Sequence, residues 1–160
     1  MDRVYVETTV ISYLTARPSR DVVIAGHQAT TAMWWKTAAT EYELYISRAV
    51  LAEIQGDPQE ASRRLQLIQG MTMLEYTEDV TNLIDIYSQR LGLSGRALAD
   101  LPHIAFAVAA EIDFLVTWNC SHLASGIVIR RLAKINQEMN RKTPIIGTPD
   151  FLLGEEEGVI

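Results

Sequence analysis

Five short runs rich in β-branched and aromatic residues punctuate the chain: RVYVE (Arg3–Glu7), LYIS (Leu44–Ser47), MTMLEY (Met71–Tyr76), FLVT (Phe114–Thr117) and PIIG (Pro144–Gly147). Each is separated from the next by a stretch long enough for one or two helices. Strands that alternate with helices in this way pair in parallel, and the crossovers cover the sheet on both faces. The expected architecture is therefore α/β, with about five mostly parallel strands. RVYVE is expected near the centre and PIIG at an edge.

The intervening segments carry helix punctuation. VISYLTARP reads as a short helix that stops before Pro18. Asp21–Tyr42 reads as a long helix, with Asp21 as its N-cap. Ser47 is placed to cap a helix over Arg48–Gln55. Asp57-Pro58 restart a helix, with Pro at its first position, that runs to about Gln69. Further helices are expected over Glu78–Leu91, Leu101–Ile112 and Gly126–Arg141. Residues 1–153 form one domain in this reading, and the acidic stretch 154–160 is a tail.

Composition narrows the function classes. Hydrophobic residues make up 48% and charged residues 21% of the 160, an ordinary balance for one globular domain with a real core. No apolar run reaches the ~18 residues of a membrane span, and a strand begins at once where a signal peptide would lie. The single cysteine, Cys120, cannot form an internal disulfide, and no Cys/His cluster has zinc spacing. A cytoplasmic protein is expected. A formal net charge of -6 argues against packaging nucleic acid, but not against a nuclease whose metal site is itself acidic.

In an open parallel sheet, sites form where strands give way to loops at the carboxyl edge. Glu7 ends the first strand. Asn119 lies just past FLVT, and Asp100 opens the apolar helix that feeds it. Glu53 sits among Leu51, Ala52 and Ile54 on the helix after LYIS. Carboxylates gathered beside apolar sequence repel one another unless a cation sits among them, and hard oxygen ligands suit Mg²⁺ or Mn²⁺. Each residue also has a plainer reading. Asp100 followed by Leu101-Pro102 fits a helix N-cap, Glu7 and Glu53 fit solvated positions, and Asn119 fits a turn.

The stretches "VYVETTVISYL", "ISRAVLAEI" and "ALADLPHIAFAVAAEIDFLVTWNCSHL" together resemble the PIN domain ribonucleases, especially VapC-type toxins of toxin–antitoxin modules. The resemblance covers nearly the whole chain, and the last stretch is its most specific part. It implies a three-layer α/β/α sandwich and Mg²⁺- or Mn²⁺-dependent endonucleolytic cleavage of RNA. By position it matches Glu7, Glu53, Asp100 and Asn119 to the family's acidic residues, with Glu7, Glu53 and Asp100 as metal ligands. Thr117 matches a threonine that assists the site, and the Thr8 and Thr9 hydroxyls are suited to hold a metal-bound water or a neighbouring carboxylate. An antitoxin protein and an RNA substrate are the implied partners. Two departures stand out: Glu7 replaces the usual Asp, and Asn119 replaces a frequent Asp, leaving three carboxylates rather than four.

Other polar residues are weighed alongside. His103, three residues after Asp100, reads as a packed core histidine, with a hydrogen bond to Asp100 as the alternative. His122 near Asn119, and Arg130, Arg131 and Lys134 on the last helix, are candidates to meet RNA phosphates; a solvated face is the plain reading. Trp118 reads as packing. Trp34 and Trp35 cannot share one narrow helix stripe, so one should be core and the other turned outward, as at a homodimer or partner face. Three functions follow: a metal-dependent ribonuclease, a non-cutting PIN-like binding module, or another phosphoryl hydrolase. The last lacks a Gly-rich phosphate loop.

Overall fold

The computed structural model describes residues 1–56 and 58–153. The expected helix start at Asp57 and the expected tail at 154–160 lie outside the described residues. Along the chain come β1 (Arg3–Val6), α1 (Thr8–Thr15), α2 (Val22–Glu41), β2 (Glu43–Ser47), α3 (Arg48–Ile54) and α4 (Pro58–Ile68). Then follow β3 (Thr72–Leu74), α5 (Glu78–Arg90), α6 (Leu101–Ala109), β4 (Phe114–Val116), α7 (Gly126–Glu138), β5 (Ile145–Gly147) and α8 (Pro149–Leu153). A 3-10 turn over Gly95–Asp100 leads into α6. Neither this turn nor α8 was anticipated; both are too short to carry a periodic signal.

The sheet has the order β3-β2-β1-β4-β5, and every pairing is parallel. β1 is central and β5 is an edge, as the sequence predicts. After β1 the chain builds outward through β2 and β3. It then crosses back to lay β4 against the other side of β1. Right-handed crossovers in these two directions put the early helices on one face and α5, α6 and α7 on the other. Packing of α1 against α2, α3 and α4, and of α5 against α6, accords with that arrangement. The result is the three-layer α/β/α sandwich. Its switch point, where crossovers diverge, lies between the carboxyl ends of β1 and β4.

Local chemistry explains most boundaries. Asp21 Oδ1 accepts from the Val23 and Ile24 amides at 2.9 and 3.0 Å, capping α2 as expected. Ser47 Oγ accepts from the Val50 amide at 3.3 Å and caps α3. Gly92, just past α5, has φ +77°, and the Arg131 guanidinium occupies the space a Cβ would need. A side chain there would be both strained and obstructed. The α6 helix ends three residues before the expected Ile112, because Glu111 takes a left-handed φ of 52° and the Ile112 amide turns back to the Ala107 carbonyl at 2.9 Å. Trp34 is fully buried and Trp35 only partly so, which matches the expected division of that pair.

Asp113 ties the amino ends of the central strands together. Its Oδ2 accepts from the Arg3 amide at 2.8 Å, and Lys142 donates to its Oδ1. The Arg3 amide and then Lys142 hold its carboxyl below the ordinary aspartate range. A carboxylate depressed on folding adds stability above its unfolded pKa of ~3.9, and that stability is lost as pH falls through the folded value. Asp113→Ala is expected to cost about 1 kcal/mol at neutral pH, and progressively less as pH falls through the lowered folded pKa, read by urea denaturation.

Candidate metal centre

Glu7 follows directly on β1, and Thr117 follows directly on β4, so both stand at the switch point. The Glu7 amide donates to Val116 O at 3.1 Å, which continues the β1–β4 pairing to the rim. The Glu7 side chain is buried, 3% exposed, and forms no ion pair among the described residues. Donors hold it instead. Its Oε2 accepts from the Thr9 amide at 3.1 Å, capping α1. Its Oε1 accepts from the Thr9 hydroxyl at 2.6 Å and from the Thr117 hydroxyl. Each threonine is fixed in turn. Thr9 Oγ1 accepts from the Trp118 amide and Thr117 Oγ1 from the Asn119 amide, both at 2.9 Å. The T-W-N segment after β4 thus clamps the carboxylate at the end of β1.

Glu53 reaches the same place from α3. Glu7, Glu53 and His103 each offer a ligand atom, all within 4.8 Å of one another. Burial alone would raise the Glu53 pKa, but the hydrogen bond and charge of His103, helped by Thr8, carry it below the ordinary glutamate range. Burial likewise disfavours charged His103. The hydrogen bond to Glu53 and the fields of Glu7, Glu53 and Asp100 outweigh it and raise the His103 pKa. The buried Thr8 hydroxyl lies close enough to Glu53 to help lower its pKa, but makes no close hydrogen bond of its own.

Asp100 plays neither of the two local roles the sequence allowed it. It is not a side-chain cap of α6: its backbone is already helical, and its carboxylate makes no capping hydrogen bond. The 3-10 turn leads straight into the helix, so no extended residue is left to act as cap. Nor does it bond His103, whose two nitrogens are both engaged elsewhere. Asp100 Oδ2 pairs with His122 Nδ1 at 2.8 Å, and it is not among the three residues that converge most closely. Asn119 Oδ1 accepts from the His122 amide at 3.0 Å, so Asn119 shapes the turn that brings His122 to Asp100. Asn119, Thr117 and Glu7 are nevertheless consecutive links of one hydrogen-bonded chain.

The remaining expectations divide. His103 is fully buried, as a core histidine should be, but it bonds a site carboxylate. Trp118 packs: its indole N–H donates to Thr31 at 2.8 Å and its ring stacks on His27 at 4.0 Å. On α7, Arg130 and Lys134 are exposed. Arg131 spends Nη1 on the Leu91 carbonyl at 3.3 Å, so part of its donor set serves the fold rather than a phosphate. Sequence reasoning missed Tyr5, Ser47 and the link from His103 to Glu53. The signal was a histidine in an otherwise apolar helix, which burial obliges to find partners.

The donor set fits a small divalent cation. Clustered carboxylate oxygens are hard ligands, Glu7 is buried and held in no ion pair among the described residues, and the buried Thr8 hydroxyl lies near Glu53.

No protein-family model and no curated protein sequence matches the chain. Solved structures do. VapBC2 from Rickettsia felis, described as bound to a DNA fragment from the promoter, aligns with a TM-score of 0.57 at 17% identity, covering 91% of this chain and 98% of that one. This is the fold of the VapC toxins. VapBC-1 from nontypeable Haemophilus influenzae aligns at 0.60 with 14% identity over 92% of this chain and 98% of that one. Mycobacterium tuberculosis VapC20, described as a sarcin-ricin loop cleaving toxin, aligns at 0.58 with 16% identity over 77% of this chain and 95% of that one. At these identities the VapC likeness is one of fold. Among the described residues, no helix is long and apolar enough to cross a membrane.

Proposed function

We propose that this protein is a divalent-metal-dependent endoribonuclease acting as the toxin of a toxin–antitoxin pair. One observation carries the reading: a buried glutamate without a cationic partner, clamped at the switch point of a VapC-like sheet, with a second glutamate converging on it. Glu7 and Glu53 hold the cation, and Asp100 completes the acidic wall. Bound there, Mg²⁺ or Mn²⁺ supplies Lewis acidity and a water of lowered pKa. Thr9 and Thr117 fix the Glu7 carboxylate, so it need not reorganise as charge develops on the phosphodiester. Arg130, Lys134 and the remaining donors of Arg131 are the candidates to meet RNA phosphates, and His122 stands at the rim beside Asp100. An antitoxin is the proposed protein partner, and a second copy of the chain a further one. The test is RNA cleavage by the full chain with Mn²⁺ or Mg²⁺. Cleavage that chelator and Asp100→Asn each abolish supports the reading. A chain that binds RNA without cutting it supports the binding-module alternative.

That alternative draws on one feature: Asn119 offers an amide where a fourth carboxylate would stand, and its oxygen already accepts from the His122 amide. Asn119→Asp is expected to keep that acceptor while adding a charge. It should tighten Mn²⁺ binding, leave cleavage equal or faster, and lower stability in chelator by about 1 kcal/mol. Calorimetric titration of both forms checks this. Equal affinities would limit Asn119 to shaping the turn.

A further inference from the structure

Three polar side chains stand in line through the core, from β2 across β1 to α6. Ser47 Oγ lies 2.6 Å from Tyr5 Oη, which lies 2.7 Å from His103 Nδ1. The other ring nitrogen, Nε2, lies 2.7 Å from Glu53 Oε1. Ser47, Tyr5 and His103 are fully buried, whereas the Glu53 side chain at the end of the line is 42% exposed. Burying a hydroxyl, a phenol and an imidazole is costly compared with aliphatic side chains of similar volume. The fold sustains that cost only because each group is satisfied by the next. What the line achieves lies at its open end.

We infer that His103, held by Tyr5 and Ser47, is a positioning residue that fixes the Glu53 carboxylate for metal binding. Glu53 needs such a support. It projects from α3, a helix of only seven residues, on a long side chain. An ionised carboxylate only accepts, so Nε2 must donate to it. That bond holds Oε1 and leaves Oε2 for a cation. His103 is not itself a ligand in this arrangement, because both of its nitrogens are engaged. The imidazole cannot rotate: Tyr5 holds Nδ1 from β1, and Ser47, whose hydroxyl also caps α3, holds Tyr5 from β2. The strand that carries Glu7 and the helix that carries Glu53 are thereby locked to one geometry. Outer partners of this kind typically change metal affinity 10–100-fold when removed.

The inference rests on the metal reading of the site, and Mn²⁺ binding to the full-length chain separates the two. Free Mn²⁺ is followed by electron paramagnetic resonance in the wild type, Glu53→Gln, Tyr5→Phe, His103→Leu and His103→Gln. Melting in chelator monitors folding. Tyr5→Phe is expected to weaken binding about tenfold and His103→Leu by up to about a hundredfold. His103→Gln, whose amide can donate to Glu53 and accept from Tyr5, should recover most of the loss. A purely structural role would lower the melting temperature without this order in affinity. If His103→Leu fails to fold, the near-isosteric Tyr5→Phe decides alone. Binding that Glu53→Gln destroys but Tyr5→Phe and folded His103→Leu leave unchanged overturns this inference and spares the metal reading. A wild type that binds no Mn²⁺ overturns both.

Discussion

Glu7→Gln is expected to abolish RNA cleavage, by about 10³-fold or more in kcat, in a protein that still folds. The amide oxygen can go on accepting from the Thr9 and Thr117 hydroxyls, so the clamp across β1 and β4 survives. The amide nitrogen replaces Oε2, the acceptor of the Thr9 backbone N–H, and loss of that cap costs roughly 0.5–1 kcal/mol. Relief of repulsion toward Glu53 offsets part of this. Stability in chelator should therefore change little, while the charge that holds the cation disappears. Losing a single preorganised hydrogen-bond donor already costs ~10²–10³ in rate at other sites, and losing a metal ligand should cost no less. Single-turnover cleavage at saturating Mn²⁺ checks it. A Glu7→Gln chain cutting at more than a tenth of the wild-type rate would remove Glu7 from the catalytic machinery.

A large effect is also expected on stability. Glu7 and Glu53 approach each other with only the His103 imidazole beside them, and a bound ion relieves the repulsion that remains. At a hundredfold excess over Kd, Mn²⁺ should stabilise the chain by ~2.7 kcal/mol. For a domain of this length that corresponds to roughly 5–10 °C in Tm. Neither Glu7→Gln nor Glu53→Gln should show the gain in full, and EDTA should return the wild type to its metal-free value. Melting curves that ignore millimolar Mn²⁺ would contradict a metal site here.

Much of this was legible in the sequence because it follows from periodicity and punctuation. Runs such as RVYVE and FLVT, alternating with capped helices, are enough to require a parallel sheet. Glu7 and Thr117 were placed by lying just past two strands that turned out to be neighbours. What was not legible depended on long-range pairing. Tyr5 looks like any core residue of a central strand. Only the β1–β2 register and the approach of α6 set its hydroxyl between Ser47 and His103. The plainer reading of Asp100 as a cap fails because a 3-10 turn, invisible to a periodic pattern, runs directly into its helix. The pairing of His122 with Asp100, set by the turn that Asn119 closes, was likewise invisible in the sequence.

Anomalous diffraction from Mn²⁺-soaked crystals of the full chain locates the cation directly. The expected result is a manganese peak at the carboxyl ends of β1 and β4, about 2.1 Å from a carboxylate oxygen of both Glu7 and Glu53. It should vanish in Glu7→Gln crystals grown the same way. Well-diffracting wild-type crystals with no peak at Glu7 and Glu53, or with manganese only at surface carboxylates, would contradict the proposed metal centre.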